Sequence, residues 1–129
     1  MILIVESDLG LAERLRRSLQ DAGHEAHAVA DGLEALRWLR GATPELILMD
    51  QSAPWMDGFR VCRLIKFHRK RQQIPVFLMT LVADQEHHEL ARMVGSDGYI
   101  EIKNPQDVAH QVHQFLSSRP SSPKAGLSL

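Results

Sequence analysis

Five short apolar runs alternate with helical patterns along this chain, and that alternation limits the possible folds more than any other feature of the sequence. Between the runs, apolar residues recur every three or four positions, as on the buried face of a helix. The predicted strands are Ile2 to Val5, His24 to Ala30, Leu46 to Met49, Val76 to Thr80 and Tyr99 to Ile102. Strands that are joined by helices are parallel, and their crossovers are right-handed. We therefore predict an α/β domain with a doubly wound sheet of five parallel strands, in the order 2-1-3-4-5, and helices on both faces.

The helical patterns lie between these strands and after the last one. The predicted helices are Leu11 to Ala22, Gly32 to Arg40, Phe59 to Phe67, Asp84 to Val94 and Pro105 to Leu116. Residues 1–117 are predicted to form the domain. Residues 118–129 lack apolar periodicity and contain several Ser and Pro residues, which predicts a disordered tail.

Composition excludes several classes of protein. A formal net charge of -1 gives the whole chain no attraction for nucleic acid or anionic lipid. The basic run from His68 to Arg71 is interpreted as a solvated loop, so a nucleic-acid partner is not expected. Cys62 is the single cysteine, which excludes an internal disulfide and fits a reducing compartment. No apolar run approaches the roughly 20 residues of a membrane span, and we predict a cytoplasmic protein without membrane attachment.

Two acids lie where a sheet of this order places its ligands. The order reverses between the first and third strands, and ligands bind outside the carboxyl ends of the strands at such a switch point. Glu6 follows the first strand and Asp50 follows the third. We expect these two carboxylates to meet in one site.

Five segments together resemble the receiver domain of bacterial response regulators, a flavodoxin-like fold. They are Ile2 to Glu6, Leu46 to Asp50, Pro54 to Gly58, Pro75 to Thr80 and Gly95 to Ile100. Their order and spacing carry the resemblance, which covers residues 1 to about 117.

The resemblance implies a phosphoacceptor and a metal ion. By this likeness, Asp50 accepts a phosphoryl group from a sensor histidine kinase, a phosphotransfer protein or a small phosphodonor. Glu6, Asp50 and the backbone carbonyl of Ser52 match the groups that bind Mg²⁺ in the family.

The resemblance also implies a group of residues that respond to phosphorylation. The hydroxyl of Thr80 and an ammonium, here that of Lys103, match the groups that hold the phosphoryl oxygens. Thr80 and the aromatic Tyr99 match the switch that alters a protein-binding face for a downstream protein target.

Three positions depart from the family pattern. Ser7 stands where the family has a second acid, so Mg²⁺ binding is expected to be weakened; Asp8, next along, is predicted to cap the first helix instead. Lys103 lies four residues after Tyr99 rather than three, and Ile102 holds the expected lysine position. Lys103 therefore reaches the site only if a bulge or a loose strand end absorbs one residue.

Leu81 is the third departure, because the residue after the hydroxyl is usually small in the family. A leucine there narrows access to Asp50, which predicts slow phosphorylation and a long-lived product.

Three functions stay open on the sequence alone. The first is a stand-alone phosphoacceptor receiver in a two-component or phosphorelay pathway, since the sequence shows no output domain. The second is a pseudo-receiver, which binds proteins without phosphorylation. The third, an enzyme of flavodoxin or phosphatase type, is disfavoured because the acidic loop from Glu6 to Asp8 repels a bare phosphate. We expect no enzyme activity beyond self-catalysed phosphotransfer and autodephosphorylation.

Overall fold

The five strands form one parallel sheet in the order β2-β1-β3-β4-β5, as predicted. The computed structural model describes residues 1–53 and 56–119. The strands are β1 (Ile2–Val5), β2 (Ala26–Val29), β3 (Leu46–Asp50), β4 (Val76–Thr80) and β5 (Gly98–Glu101). The helices are α1 (Leu9–Asp21), α2 (Gly32–Trp38), α3 (Gly58–Lys66), α4 (Gln85–Met93) and α5 (Pro105–Ser118). No helix in the described part of the chain is both long and apolar enough to cross a bilayer.

Strand alternation divides the core into two layers, one on each face of the sheet. Leu3, Val5, Ile47 and Met49 pack on the face that α2, α3 and α4 cover. The residues between them in β1 and β3, such as Ile4 and Leu48, pack on the opposite face against α1 and α5. Because both faces are buried, these strands are continuous apolar runs.

Each helix begins with an Asp or Asn whose side chain accepts a hydrogen bond from the backbone N–H three residues later. The N-caps are Asp8, Asp31, Asp57, Asp84 and Asn104. Such caps satisfy N–H groups that have no partner inside the helix. The prediction that Asp8 caps α1 is confirmed by the 3.1 Å bond from the Leu11 N–H to its carboxylate.

Several predicted boundaries were wrong by one or two residues. Strand β2 is shorter than His24 to Ala30 because it is a half-buried edge strand that pairs only with β1. Strand β5 begins and ends one residue earlier than predicted. Helix α5 continues through Ser118, one residue past the predicted domain end. The rest of the predicted tail, residues 120–129, lies outside the described residues, as do residues 54 and 55 of the predicted third segment.

Candidate functional site

Glu6 and Asp50 lie beside one another at the carboxyl edge of the sheet. Val5 pairs with Met49, so the residues that follow them leave neighbouring strands together. Glu6 is only 6% exposed. Burial raises the pKa of the Glu6 carboxyl, the Asp8 backbone N–H offsets part of this through a 3.0 Å hydrogen bond, and the nearby Asp50 raises the pKa further. The structure therefore brings the two predicted acids into one site.

The loop after β3 holds the Asp50 side chain in place. The backbone N–H of Ser52 donates a 3.1 Å hydrogen bond to the Asp50 carboxylate. This bond lowers the pKa of Asp50, but burial acts more strongly and raises it. Gly58 closes the same loop, since its N–H donates to the Gln51 carbonyl at 2.9 Å.

Thr80 ends β4 one residue beyond the partner of Asp50, which is Met79. The Thr80 hydroxyl is buried and donates to the Val82 carbonyl at 3.2 Å, and it also lies 3.3 Å from the Val82 N–H. Both contacts are at the long end for hydrogen bonds. The hydroxyl is thus engaged by the loop after β4 through bonds that a stronger acceptor can replace.

Tyr99 is connected to the end of β3 through a residue that was not predicted from the sequence. Its hydroxyl donates a 2.8 Å hydrogen bond to the Gln51 side chain, which is 8% exposed and directly follows Asp50. The ring also packs edge-on against His88 of α4, with centroids 5.4 Å apart. Strand alternation places Gln51 on the same face as Met49 and Tyr99, and this register is the signal that could have identified the contact.

Glu101 makes a second contact that was not predicted from the sequence. It pairs with Thr80 across β4 and β5, and its carboxylate accepts a 3.0 Å hydrogen bond from the Ala83 N–H. The loop after β4 is therefore tied both to Thr80 and to β5.

The matching family model, described as the response regulator receiver domain, covers residues 2–113. The chain belongs to this family. It is 31% identical over 129 residues to the DNA-binding response regulator MtrA of Mycobacterium tuberculosis H37Rv, covering 99% of this chain and 55% of MtrA. The chain thus spans about half the length of the curated relatives it matches.

Solved receiver domains share the fold closely. One is the signal receiver domain of a histidine kinase from Syntrophus aciditrophicus, with a TM-score of 0.81, 33% identity and coverage of 96% of this chain and 97% of that one. Another is the receiver domain of the sensor histidine kinase PA1611 from Pseudomonas aeruginosa PAO1, solved with a magnesium ion coordinated in the active site cleft. It has a TM-score of 0.78, 25% identity and coverage of 88% and 93%.

The candidate site contains oxygen ligands that suit Mg²⁺, two of which are carboxylates. Glu6 and Asp50 would supply two carboxylates, and Ser52, in the loop after Asp50, would supply a backbone carbonyl. Mg²⁺ takes oxygen ligands, and one or two carboxylates with several waters are its usual protein site. No group of three or more His, Cys, Asp or Glu side chains that could hold a metal occurs among residues 1–53 and 56–119. Ser7 is exposed, and Asp8 is engaged as the cap of α1, so neither adds an anionic ligand as the structure stands.

The register of β5 bears on the position of Lys103. Pairing with β4 runs without a bulge from Gly98 to Glu101, and the Ile102 N–H still donates to the Thr80 carbonyl at 2.8 Å. Ile102 packs with the cluster on the α1 and α5 side of the sheet. Of the two routes that could bring Lys103 to the site, the bulge is absent and a loose strand end remains. Lys103 itself is exposed, and the Asn104–Pro105 bond is trans.

The raised pKa of Glu6 predicts how the receiver's stability depends on pH. The folded state holds the Glu6 proton more tightly than the unfolded chain does, so the stabilising effect of that proton is complete below the ordinary pKa of 4.5 and is lost as the pH rises through the folded pKa. Glu6→Gln is therefore expected to raise the free energy of unfolding at pH 7, with a gain that disappears near pH 4. Denaturant unfolding at both pH values, with a chelator present, measures this.

Glu13→Gln is the matched control for the opposite sign. Hydrogen bonding to Arg16 lowers the pKa of Glu13, so its replacement is expected to cost stability at neutral pH. A Glu6→Gln protein less stable than the parent at pH 7 would show that burying the charged Glu6 carboxylate does not reduce the free energy of unfolding.

Proposed function

We propose that this chain is a receiver whose Asp50 accepts a phosphoryl group from a sensor histidine kinase or a phosphotransfer protein and then signals to a downstream protein. The observation that carries the proposal is the proximity of Glu6 and Asp50 at the ends of two paired strands, with the Thr80 hydroxyl at the end of the adjoining strand. The buried Glu6 and the half-buried Asp50, both with raised pKa values, reduce stability at neutral pH, and such a cost is typical of functional sites.

The chemistry is nucleophilic displacement at phosphorus. One oxygen of the Asp50 carboxylate bonds to the phosphorus while the bond to the donor breaks, and the donor's histidine nitrogen leaves with the electron pair and takes up a proton. The product is an acyl phosphate on Asp50. The Ser52 N–H holds the carboxylate in position for this attack. When bound by Glu6, Asp50 and the Ser52 carbonyl, Mg²⁺ supplies positive charge that offsets the meeting of two anions.

The signal follows from competition for the Thr80 hydroxyl. A phosphoryl oxygen is a charged acceptor, and hydrogen bonds to it are roughly twice as strong as those between neutral groups. The hydroxyl then leaves Val82, which shifts the loop that Glu101 holds through Ala83. The surroundings of Tyr99, whose hydroxyl donates to the Gln51 side chain, change when that loop moves. The proposed output is a change in the relative populations of two conformations of the surface formed by α4, β5 and α5.

Lys103 and Leu81 tune the rates in this proposal. In this proposal the Lys103 ammonium reaches the phosphoryl oxygens from the segment between Ile102 and α5. Leu81 follows Thr80 directly and is 68% exposed, and in this proposal its side chain narrows the approach of donors and water to Asp50. We propose slow phosphorylation and slow hydrolysis as a result.

The second candidate function is a pseudo-receiver that binds its partner without phosphate. Ser7 at the second-acid position and Ile102 at the lysine position favour it, because each removes a charge that assists phosphorylation.

The deciding experiment is incubation with Mg²⁺ and acetyl phosphate followed by intact mass measurement. The expected result is a gain of one phosphoryl group in the parent and none in Asp50→Asn, with circular dichroism showing that both are folded. An adduct that persists in Asp50→Asn would remove Asp50 from the mechanism. No adduct in either protein at saturating Mg²⁺ would favour the pseudo-receiver.

A further inference from the structure

Positive charge is concentrated in one segment of this nearly neutral chain. Residues 58–83 contain six of the fifteen Lys and Arg residues and none of the sixteen acids. Lys66 is used inside the fold, where it bonds to Asp97 and the Ile74 carbonyl, each at 2.9 Å. The other five cations lie on α3 and the loop after it: Arg60, Arg63, Arg69, Lys70 and Arg71. None of these five takes part in an ion pair with another described residue.

Large apolar side chains lie within this basic surface. Phe67 is 72% exposed and Leu64 is 48% exposed. Their spacing from Arg60 and Arg63 places all four on one side of α3, away from the buried Val61 and Ile65 side. We call the open groove of about 680 Å³ on this side the α3 groove; its lining residues are Arg60, Arg63, Leu64, Phe67 and His68.

The arrangement within the α3 groove favours a partner with both charge and apolar surface. The Arg63 guanidinium lies 5.5 Å from the centre of the Phe67 ring, so a cation and an aromatic face are offered at the same place. An exposed apolar surface that is rimmed by charged side chains is typical of protein interaction sites. The cations at its rim give the complementary sign for an acidic partner.

We propose that the α3 groove binds an acidic segment of another protein, with a large apolar side chain of that segment seated on Leu64 and Phe67. Carboxylates of the segment pair with Arg60 and Arg63 while the apolar side chain covers the exposed Phe67 ring. An amphipathic helix with acids on its flanks presents both groups in this way. This surface contains none of the phosphorylation-site residues, and the proposal goes beyond the function proposed above.

Charge and apolar surface also argue against other occupants. Residues 120–129 contain Lys124 and no Asp or Glu, so this segment offers no acidic side chain to the arginines of the groove. Nucleic acid would be attracted by the cations, but phosphate contacts gain nothing from the exposed Leu64. A protein segment uses both parts of the surface.

Fluorescence anisotropy with a labelled, Glu-rich helical peptide that carries Leu on one face tests the proposal. We expect the parent protein to bind this probe, and either Leu64→Ser with Phe67→Ser or Arg60→Glu with Arg63→Glu to weaken binding by about tenfold or more. The control pair, Arg14→Glu with Arg40→Glu, makes the same charge change at exposed positions elsewhere and is expected to stay within about twofold. A second peptide, with Ser in place of Leu, should bind the parent protein weakly. Its affinity should match that of the Leu-bearing peptide for the Leu64→Ser and Phe67→Ser variant.

Three results would overturn the proposal. One is no binding of the probe by the parent protein at low salt. Another is binding that ignores the loss of Leu64 and Phe67 and is matched by duplex or single-stranded DNA, which would make the surface a general anion site. The last is a concentration-dependent dimer that the same substitutions abolish, which would make a second copy the occupant. Acetyl phosphate labelling of Asp50 in each variant shows separately that the receiver site still works.

Discussion

Gly58→Ala is expected to lower the free energy of unfolding by about 3 kcal/mol and to impair phosphorylation of Asp50. Gly58 is the buried first residue of α3, and its N–H bonds to the Gln51 carbonyl. An added Cβ would lie far inside van der Waals contact of the Asp50 carbonyl oxygen and 2.9 Å from the Gln51 Cα. These are backbone atoms, so no side-chain rotation can relieve the overlap, and the end of β3 must move.

Gly41→Ala is the matched control, because no atom lies within 4 Å of the Cβ it would add. Its effect on stability is expected to stay within about 1 kcal/mol. Denaturant unfolding of the two variants and the parent gives the comparison, and intact mass after acetyl phosphate treatment reports on Asp50. If Gly58→Ala unfolds like Gly41→Ala, α3 can move away from the β3 end at little cost, and the close packing at Gly58 does not hold Asp50 in place.

The strand order could be predicted from the sequence because local patterns and global topology agree. β1, β3 and β4 are short apolar runs, each helix has a cap residue, and right-handed crossovers leave few ways to arrange five parallel strands. The same order predicts that Glu6 and Asp50 meet, although 43 residues separate them. Positions at strand ends follow directly from topology.

Contacts that depend on side-chain direction could not be predicted in the same way. The bond from Tyr99 to Gln51 requires the register of three strands, and the bond from Glu101 to the Ala83 N–H requires the path of a loop. Lys103 shows the same difficulty, since one extra residue before the helix has different consequences in a bulge and in a loose strand end. Continuous pairing through Glu101 excludes the bulge, a fact that spacing alone does not contain.

Ser7, which stands at the position of the second acid, leads us to a specific prediction for Mg²⁺ binding. Ser7→Asp is expected to tighten Mg²⁺ binding by about tenfold or more, because changes even outside the direct ligands alter metal affinity by roughly 10 to 100-fold. Ser7 is exposed and follows Glu6, whereas Asp8 is committed to the N-cap of α1 through its bond to the Leu11 N–H. A carboxylate at position 7 therefore adds a charge beside Glu6 without disturbing the cap.

Isothermal titration calorimetry with Mg²⁺ measures this effect independently of phosphorylation. Gln73→Asp adds the same negative charge at an exposed position before β4 and should leave the affinity unchanged, which separates a direct ligand from a general change in net charge. Without metal, Ser7→Asp should also lower stability at neutral pH, since a third carboxylate joins two whose pKa values are already raised. Equal Mg²⁺ affinities for Ser7→Asp and the parent would mean that position 7 does not face the ion, and Ser7 would then give no reason to expect weak Mg²⁺ binding.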